Sequence, residues 1–179
     1  ETALEYYNKN ADNFAKTTIN VDFYETQNRF STLLPEHGYI LDFGCGSGRD
    51  TKYFLEQGFY VDATDGSEEM CHIASNYTGI QVRRLLFEEL DGNKKYDGIW
   101  ACSSILHLPK NELKAVFMKM FKALKEDGMI YTSFKYGDFE GERNGRYFTD
   151  FTEKTFEEFV DEIDNLQLKE EWITGDVRP

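Results

Sequence analysis

The chain has 179 residues, 40% of them hydrophobic, 16% aromatic and 30% charged, with a formal net charge of −13. This suits one soluble domain with a single core, and the acidic balance disfavours nucleic acid and anionic membranes, whose phosphates are held mainly by basic groups. Cys45, Cys71 and Cys102 lack C-x-x-C or zinc-site spacing, the start ETALEYYNKN is too polar for a secretory signal and no apolar run could span a bilayer, so a reducing, cytoplasmic setting is expected.

In chain order, Ala3 to Asn10 and Val21 to Leu33 read as helices, making residues 1–36 an expected helical cap. Short apolar runs then predict strands at Tyr39 to Phe43, Phe59 to Ala63, Ile80 to Leu86, Tyr96 to Cys102, Met129 to Phe134 and Leu166 to Ile173. Helices are expected from Arg49, after Asp65, and over Asn111 to Leu124, where Leu113, Val116, Phe117, Met120, Phe121 and Leu124 recur at spacings of three and four. Gly128 is the expected left-handed stop of that last helix. The alternation predicts an α/β fold: a Rossmann-like, doubly wound, mostly parallel sheet with helices on both faces. Within one domain, residues 37–135 would form the cofactor-binding core and 136–179 a substrate loop, a helix and an edge strand. Lys135 to Thr149, with Gly137, Gly141 and Gly145, reads as a lid or substrate loop at the sheet's carboxyl edge. In Glu153 to Asp164 an apolar stripe of Phe156, Phe159, Val160 and Ile163 backs a solvated acidic face.

The stretch Ile40-Leu41-Asp42-Phe43-Gly44-Cys45-Gly46-Ser47-Gly48-Arg49-Asp50 places three alternate glycines behind the first strand. Glycines are costly in regular structure, so a sharp turn or a ligand touching the backbone is implied. The G-x-G-x-G spacing departs from the dinucleotide pattern G-x-G-x-x-G, and no Lys-Ser or Lys-Thr pair follows for a phosphate loop. Asp42 repels a pyrophosphate but suits an ammonium group. Asp65, about 20 residues beyond the loop, is placed to accept from ribose hydroxyls; Asp62 competes for that role but suits the surface better. A ribose with a cationic amino-acid tail describes S-adenosylmethionine.

These residues resemble the first motif of the class I S-adenosylmethionine-dependent methyltransferases. Asp65-Gly66-Ser67-Glu68-Glu69-Met70, Tyr96-Asp97-Gly98-Ile99-Trp100-Ala101 and Leu124-Lys125-Glu126-Asp127-Gly128-Met129 extend the resemblance over residues 38–135. Ser103-Ser104-Ile105-Leu106-His107-Leu108-Pro109 and Ser133-Phe134-Lys135-Tyr136-Gly137 are similar to bacterial small-molecule enzymes of the tellurite-resistance and thiopurine groups. The resemblance implies Asp42 and Gly44 near the amino-acid tail, within a loop completed by Cys45, Gly46, Gly48 and Arg49. It implies Asp65 on the ribose with Gly66, Ser67 and Met70 beside it, Ala101 behind the methionine portion, and Leu86 and Phe87 around adenine. The acid that often ends the third strand of this family is missing, which leaves the backbone near Leu86 and Phe87, or Glu88, to read adenine. Such folds close with two strands, yet only Gln167 to Thr174 remains for them, so an open edge, and a monomer or homodimer, is expected.

Methyl transfer needs alignment of a nucleophile, not a metal, and no metal site is expected. Tyr6, Tyr7, Phe14, Tyr136, Tyr147 and Phe148 are candidates for an aromatic mouth, with packing as the alternative. His107, Tyr7 and Tyr147 are the catalytic candidates, His107 as a base or as a loop hydrogen-bonding group. His37 and His72 suit the surface. Cys45 is expected to serve through its backbone, a low-pKa thiol being the alternative. Arg143 and Arg146 would grip an anionic substrate or offset Asp138, Glu140 and Glu142. The expected function is methyl transfer to a small molecule, against an NAD(P) oxidoreductase or a non-catalytic cofactor-binding regulator.

Overall fold

Alternate residues of a strand face opposite sides of a sheet, and the first strand, β1 (Tyr39–Phe43), buries both. Leu41 and Phe43 join Ile99, Leu113, Phe117 and Phe159 in one core, while Ile40 joins Phe30, Phe54 and Trp100 in another. In the computed structural model, Tyr7, Ala11 and residues 23–171 are described. Among them, helices α1 (Tyr24–Ser31), α2 (Arg49–Glu56) and α3 (Glu68–Thr78) alternate with β1, β2 (Tyr60–Asp65) and β3 (Arg83–Arg84). Next come β4 (Tyr96–Ala101), α4 (Lys110–Ala123), β5 (Leu124–Thr132), β6 (Glu140–Arg143), β7 (Arg146–Thr149) and α5 (Glu153–Asp161). No helix among the described residues is long and apolar enough to cross a membrane.

The sheet has the order β3-β2-β1-β4-β5, and every pairing in it is parallel. Strand order reverses between β1 and β4, so the crevice that receives ligands in such folds opens at their carboxyl ends. The doubly wound α/β fold read from the sequence is therefore the fold observed. Helix α1 covers the sheet directly: Phe30 packs 5.2 Å from Trp100 and 6.0 Å from Phe54, ring centroid to centroid.

Several element expectations are corrected. The third strand is only Arg83–Arg84, both exposed, and its pairing stops where β2 ends, with the Leu85 N–H on the Asp65 carbonyl as the last bond between them. Helix α4 stops at Ala123 and Leu124 at once pairs with Tyr96, so the ladder shifts register before Met129 pairs with Gly98. Asp127, not Gly128, takes the left-handed conformation there (φ 63°). Gly128 is glycine because an added Cβ would lie 2.5 Å from Leu124 Cγ. The interval read as a lid is an antiparallel hairpin, β6–β7, closed by Asn144 (φ 53°) and Gly145 (φ 80°), the residue pair that a two-residue turn with positive φ at both positions prefers. Leu166 to Glu171 form no strand. The rest of that expected strand, and Ala3 to Asn10 apart from helical Tyr7, lie outside the described residues.

Candidate functional site

Between β1 and α2 the chain turns through Gly44 (φ 80°), Gly46 (φ 55°) and Gly48 (φ 94°), conformations that side chains disfavour. The N–H groups of Gly44 and Cys45 both donate to the Thr64 carbonyl, at 2.9 and 2.8 Å. Gly46 donates to Asp65 Oδ2 at 2.8 Å, and Gly48 to the Cys45 carbonyl at 3.1 Å. Of the two alternatives that the glycines imply, the sharp turn is the one seen, with four of the loop's backbone donors spent inside the protein. Crowding also has internal causes, since a Cβ on Gly44 would come 2.5 Å from Ser104 Cβ, and one on Gly48 2.8 Å from Thr78 Cγ2. Gly44, Cys45 and Gly46 border a cleft of about 2000 Å³, whereas Gly48 lies behind its wall, in the packing of α2 on α3.

Four carboxylates near the loop differ by environment. Asp65 borders the cleft and accepts from Gly46 and from Ser67 N–H at 2.9 Å; burial raises its pKa against the pull of those two bonds. Asp42 is 2% exposed, accepts from the Thr51 hydroxyl at 2.6 Å, and sits outside the cleft wall. Burial, reinforced by nearby Asp50, pushes its pKa well up. Asp62 accepts both Arg83 guanidinium bonds and the Tyr96 hydroxyl, a strut between strands rather than a cleft group. Asp50, not anticipated from the sequence, is buried and receives Gln27, Trp100 and a bidentate Arg49. It thereby fixes Arg49 at the cleft edge beneath the Phe23 ring, 4.6 Å away.

The remaining cofactor-side expectations divide in the same way. Gly66, Met70, Leu86 and Phe87 line the cleft, and Phe87 stands edge-on to Phe43 at 4.9 Å. Ser67 does not: it is fully buried and caps α3 by accepting from Met70 N–H at 3.2 Å. Ala101 is fully buried at the end of β4. The Leu86 N–H is taken by Glu89 Oε1 at 2.8 Å, which removes it as an adenine donor, while exposed Glu88 stands at the cleft rim. A low-pKa Cys45 is overturned, because burial and Asp42 push the thiol well up.

Across the cleft, His107 is 9% exposed in a 3-10 turn, Ile105–His107, just beyond β4. Its Nδ1 lies 2.8 Å from the Tyr147 carbonyl and its Nε2 2.8 Å from the Tyr7 hydroxyl. A carbonyl only accepts, so Nδ1 carries the proton and, in the neutral ring, Nε2 accepts from Tyr7. Arg146 Nη1 donates to the Tyr7 oxygen at 3.3 Å. Of the catalytic candidates, Tyr7 and His107 are joined directly, but Tyr147 takes part through its carbonyl. The Tyr147 hydroxyl instead donates to Glu140 at 2.7 Å.

Glu140 also accepts the Lys110 N–H, and Thr149 donates to the Leu108 carbonyl. These bonds tie the hairpin to the segment after β4, so the interval read as a lid or substrate loop is an ordered hairpin in the cleft wall. Arg143 is neutralised by a bidentate pair with Asp150 at 2.8 and 2.9 Å, not by Asp138, Glu140 or Glu142. Phe148 is buried with its ring 4.8 Å from His107, whereas Tyr136 is 59% exposed. Tyr6 and Phe14 lie outside the described residues; His37 and His72 are exposed.

With this geometry in hand, comparison with known proteins is informative. Residues 40–128 match the model of a methyltransferase domain. YqeM of Bacillus subtilis (strain 168), whose methyltransferase designation is itself provisional, is 32% identical over 117 residues, 59% of this chain and 47% of its own. A Geobacillus relative of like designation is 33% identical over 98 residues, 51% of this chain and 40% of its own. The chain thus spans under half the length of these two curated relatives. A solved Burkholderia thailandensis 1,6-didemethyltoxoflavin-N1-methyltransferase, with 1,6-didemethyltoxoflavin and S-adenosylhomocysteine bound, superposes with a TM-score of 0.71 at 25% identity, covering 88% of this chain and 72% of its own.

Proposed function

We propose that the protein transfers a methyl group from S-adenosylmethionine to a small-molecule acceptor, a reading supported by the match of residues 40–128 to a methyltransferase-domain model and by the doubly wound sheet. The observation that carries this reading is the donor count of the glycine loop. A diphosphate cradle offers free backbone N–H groups; here four are spent internally, and the acid Asp65 stands in the wall. With four loop donors already used, that chemistry favours a nucleoside with a cationic amino-acid tail over a diphosphate-bridged dinucleotide.

In this reading Asp65 accepts from the ribose hydroxyls, with Gly66 and Met70 beside it and Leu86 and Phe87 flanking adenine. Gly44, Cys45, Gly46 and Arg49 border the amino-acid tail. Asp42 lies behind the loop, bonded to the Thr51 hydroxyl, and Gly48, Ser67 and Ala101 shape the wall without touching the ligand. When bound, the cofactor supplies a methyl group activated by sulfonium charge. Tyr7, His107 and Phe148 exclude water, and the Tyr7–His107 pair takes up the acceptor's proton at Nε2. Such base catalysis contributes about 10²–10⁴ in rate. The small molecule bound by the Burkholderia neighbour supports a small acceptor beside the cofactor.

Calorimetric titration with S-adenosylhomocysteine and with NADH tests the cofactor, and only the first is expected to bind. Incubation with methyl-labelled cofactor and a metabolite extract then tests turnover, a labelled small molecule being the expected product. Binding without turnover would leave a regulator, and binding of NADH alone an oxidoreductase.

A further inference from the structure

Helix α1 is held on the sheet by Phe30, which packs on Phe54 and Trp100, yet its first turn makes a different contact. Phe23 and Gln27 are four residues apart and so share a helix face. Phe23 covers the Arg49 guanidinium at 4.6 Å, and Gln27, 4% exposed, donates to Asp50 Oδ1 at 2.6 Å. Asp50 Oδ1 also accepts from Arg49 Nε at 2.9 Å, while Oδ2 accepts from Arg49 Nη2 at 3.0 Å and from Trp100 Nε1 at 2.9 Å. Four bonds fill the carboxylate. The guanidinium is not filled: Nη2 reaches Cys102 Sγ as well, at 3.9 Å, but Nη1 donates to no described residue. The Arg49 side chain, 18% exposed, borders the cleft. A buried ion pair that only held α1 on α2 would stabilise no better than apolar groups of the same size. Here the anion is saturated, and the cation keeps donors at the cleft wall.

We infer that Gln27 is a positioning residue for the cofactor: through Asp50 it sets the Arg49 guanidinium so that Nη1 meets the carboxylate of the cofactor's amino-acid tail. The inference rests on the methyltransferase reading above and adds helix α1 to its cofactor site. Without the Gln27 N–H, Oδ1 loses one of its two bonds, and the Asp50–Arg49 pair is free to turn as a unit. A guanidinium fork recognises a carboxylate by geometry as well as charge, so a displacement of about 1 Å is enough to lose the match. Ligand groups away from the carboxylate would not register the change.

The test compares two ligands by calorimetric titration: S-adenosylhomocysteine and its decarboxylated analogue, which keeps the ammonium, ribose and adenine. The native protein is expected to favour the first by about tenfold or more. Gln27→Met, which keeps the side chain's length and removes its donor, should cut that preference to about threefold or less while leaving the analogue's affinity in place. Equal affinities in the native protein, an undiminished preference in Gln27→Met, or an equal loss for both ligands overturns the inference. Should Gln27→Met fail to fold in a thermal melt, the native protein decides by nuclear magnetic resonance. The Arg49 Nε–H and Gln27 side-chain amide signals should both shift with S-adenosylhomocysteine and stay in place with the analogue; equal shifts with the two ligands, or none, overturn the inference. Failure of S-adenosylhomocysteine to bind at the outset would instead strike the methyltransferase reading.

Discussion

One side of the cleft comes from a single stretch of chain, Tyr39 to Ser67, in which strand, glycine turn and acid follow in order and bond to each other through the backbone. The other side joins Tyr7 to His107, 100 positions away, and to Arg146, 139 positions away, through side chains. A constraint of the first kind fixes residue types at fixed spacing, because backbone conformation and packing leave few alternatives. One of the second kind needs only that three side chains meet, so any spacing serves.

The largest effect expected from this contrast is on stability, in the loop. Gly44→Ala must hold a left-handed conformation costing about 1–2 kcal/mol and displace Ser104, whose Cβ would be 2.5 Å away, adding about 1–3 kcal/mol of overpacking. Gly79→Ala shares the positive φ (84°) but meets open space, so only the conformational cost of about 1–2 kcal/mol applies. Urea unfolding of both variants measures the difference, and equal losses would mean that the loop is not held by packing.

Next in size is ligand affinity. Asp65→Ala should weaken S-adenosylhomocysteine binding by about 1–3 kcal/mol, since the residue both faces the cleft and anchors Gly46 and Ser67. Tyr7→Phe on the opposite wall should leave that affinity unchanged while costing about 0.5–1.5 kcal/mol of stability and shifting the His107 Nε2 resonance. A Tyr7→Phe protein with impaired cofactor binding would merge the two walls into one functional unit.

The same contrast explains what the sequence made legible. Parallel order, the turn at Gly44 to Gly48 and the cleft position of Asp65 follow from periodicity and spacing that local physics enforces. The three-way hold on Asp50 was not legible, because Gln27 and Trp100 lie 23 and 50 positions from it, and neither carries a pattern. The hairpin was legible but missed: Asn144-Gly145 between Glu140–Arg143 and Arg146–Thr149 is a strong short-range turn signal, outweighed by the glycines and charges that made the interval look like a loop. Ser67 and Gly48 show the reverse case: their motif positions suggest ligand contact, yet capping and helix packing account for them.

The smallest expected effects separate the two walls by pH. Asp42, its pKa raised by burial, holds its proton in the folded state where the unfolded chain has lost it, so stability falls as pH rises above the ordinary carboxylate range. Glu140 has the opposite sign: the Tyr147 hydroxyl and the Lys110 N–H hold its pKa down, so its contribution is present above that range and lost as pH falls through its folded value. Being largely exposed to solvent, Glu140 is worth about 0.5 kcal/mol or less. In guanidinium midpoints taken between about pH 4 and 8, Asp42→Asn should raise stability at the alkaline end and converge with the native protein at the acid end, keeping the Thr51 bond throughout. Glu140→Gln should lower stability slightly at neutral pH and converge at low pH. If the two variants gave slopes of the same sign, burial would not govern Asp42, and the contrast between the buried loop side of the cleft and the exposed, well-bonded hairpin side would fail.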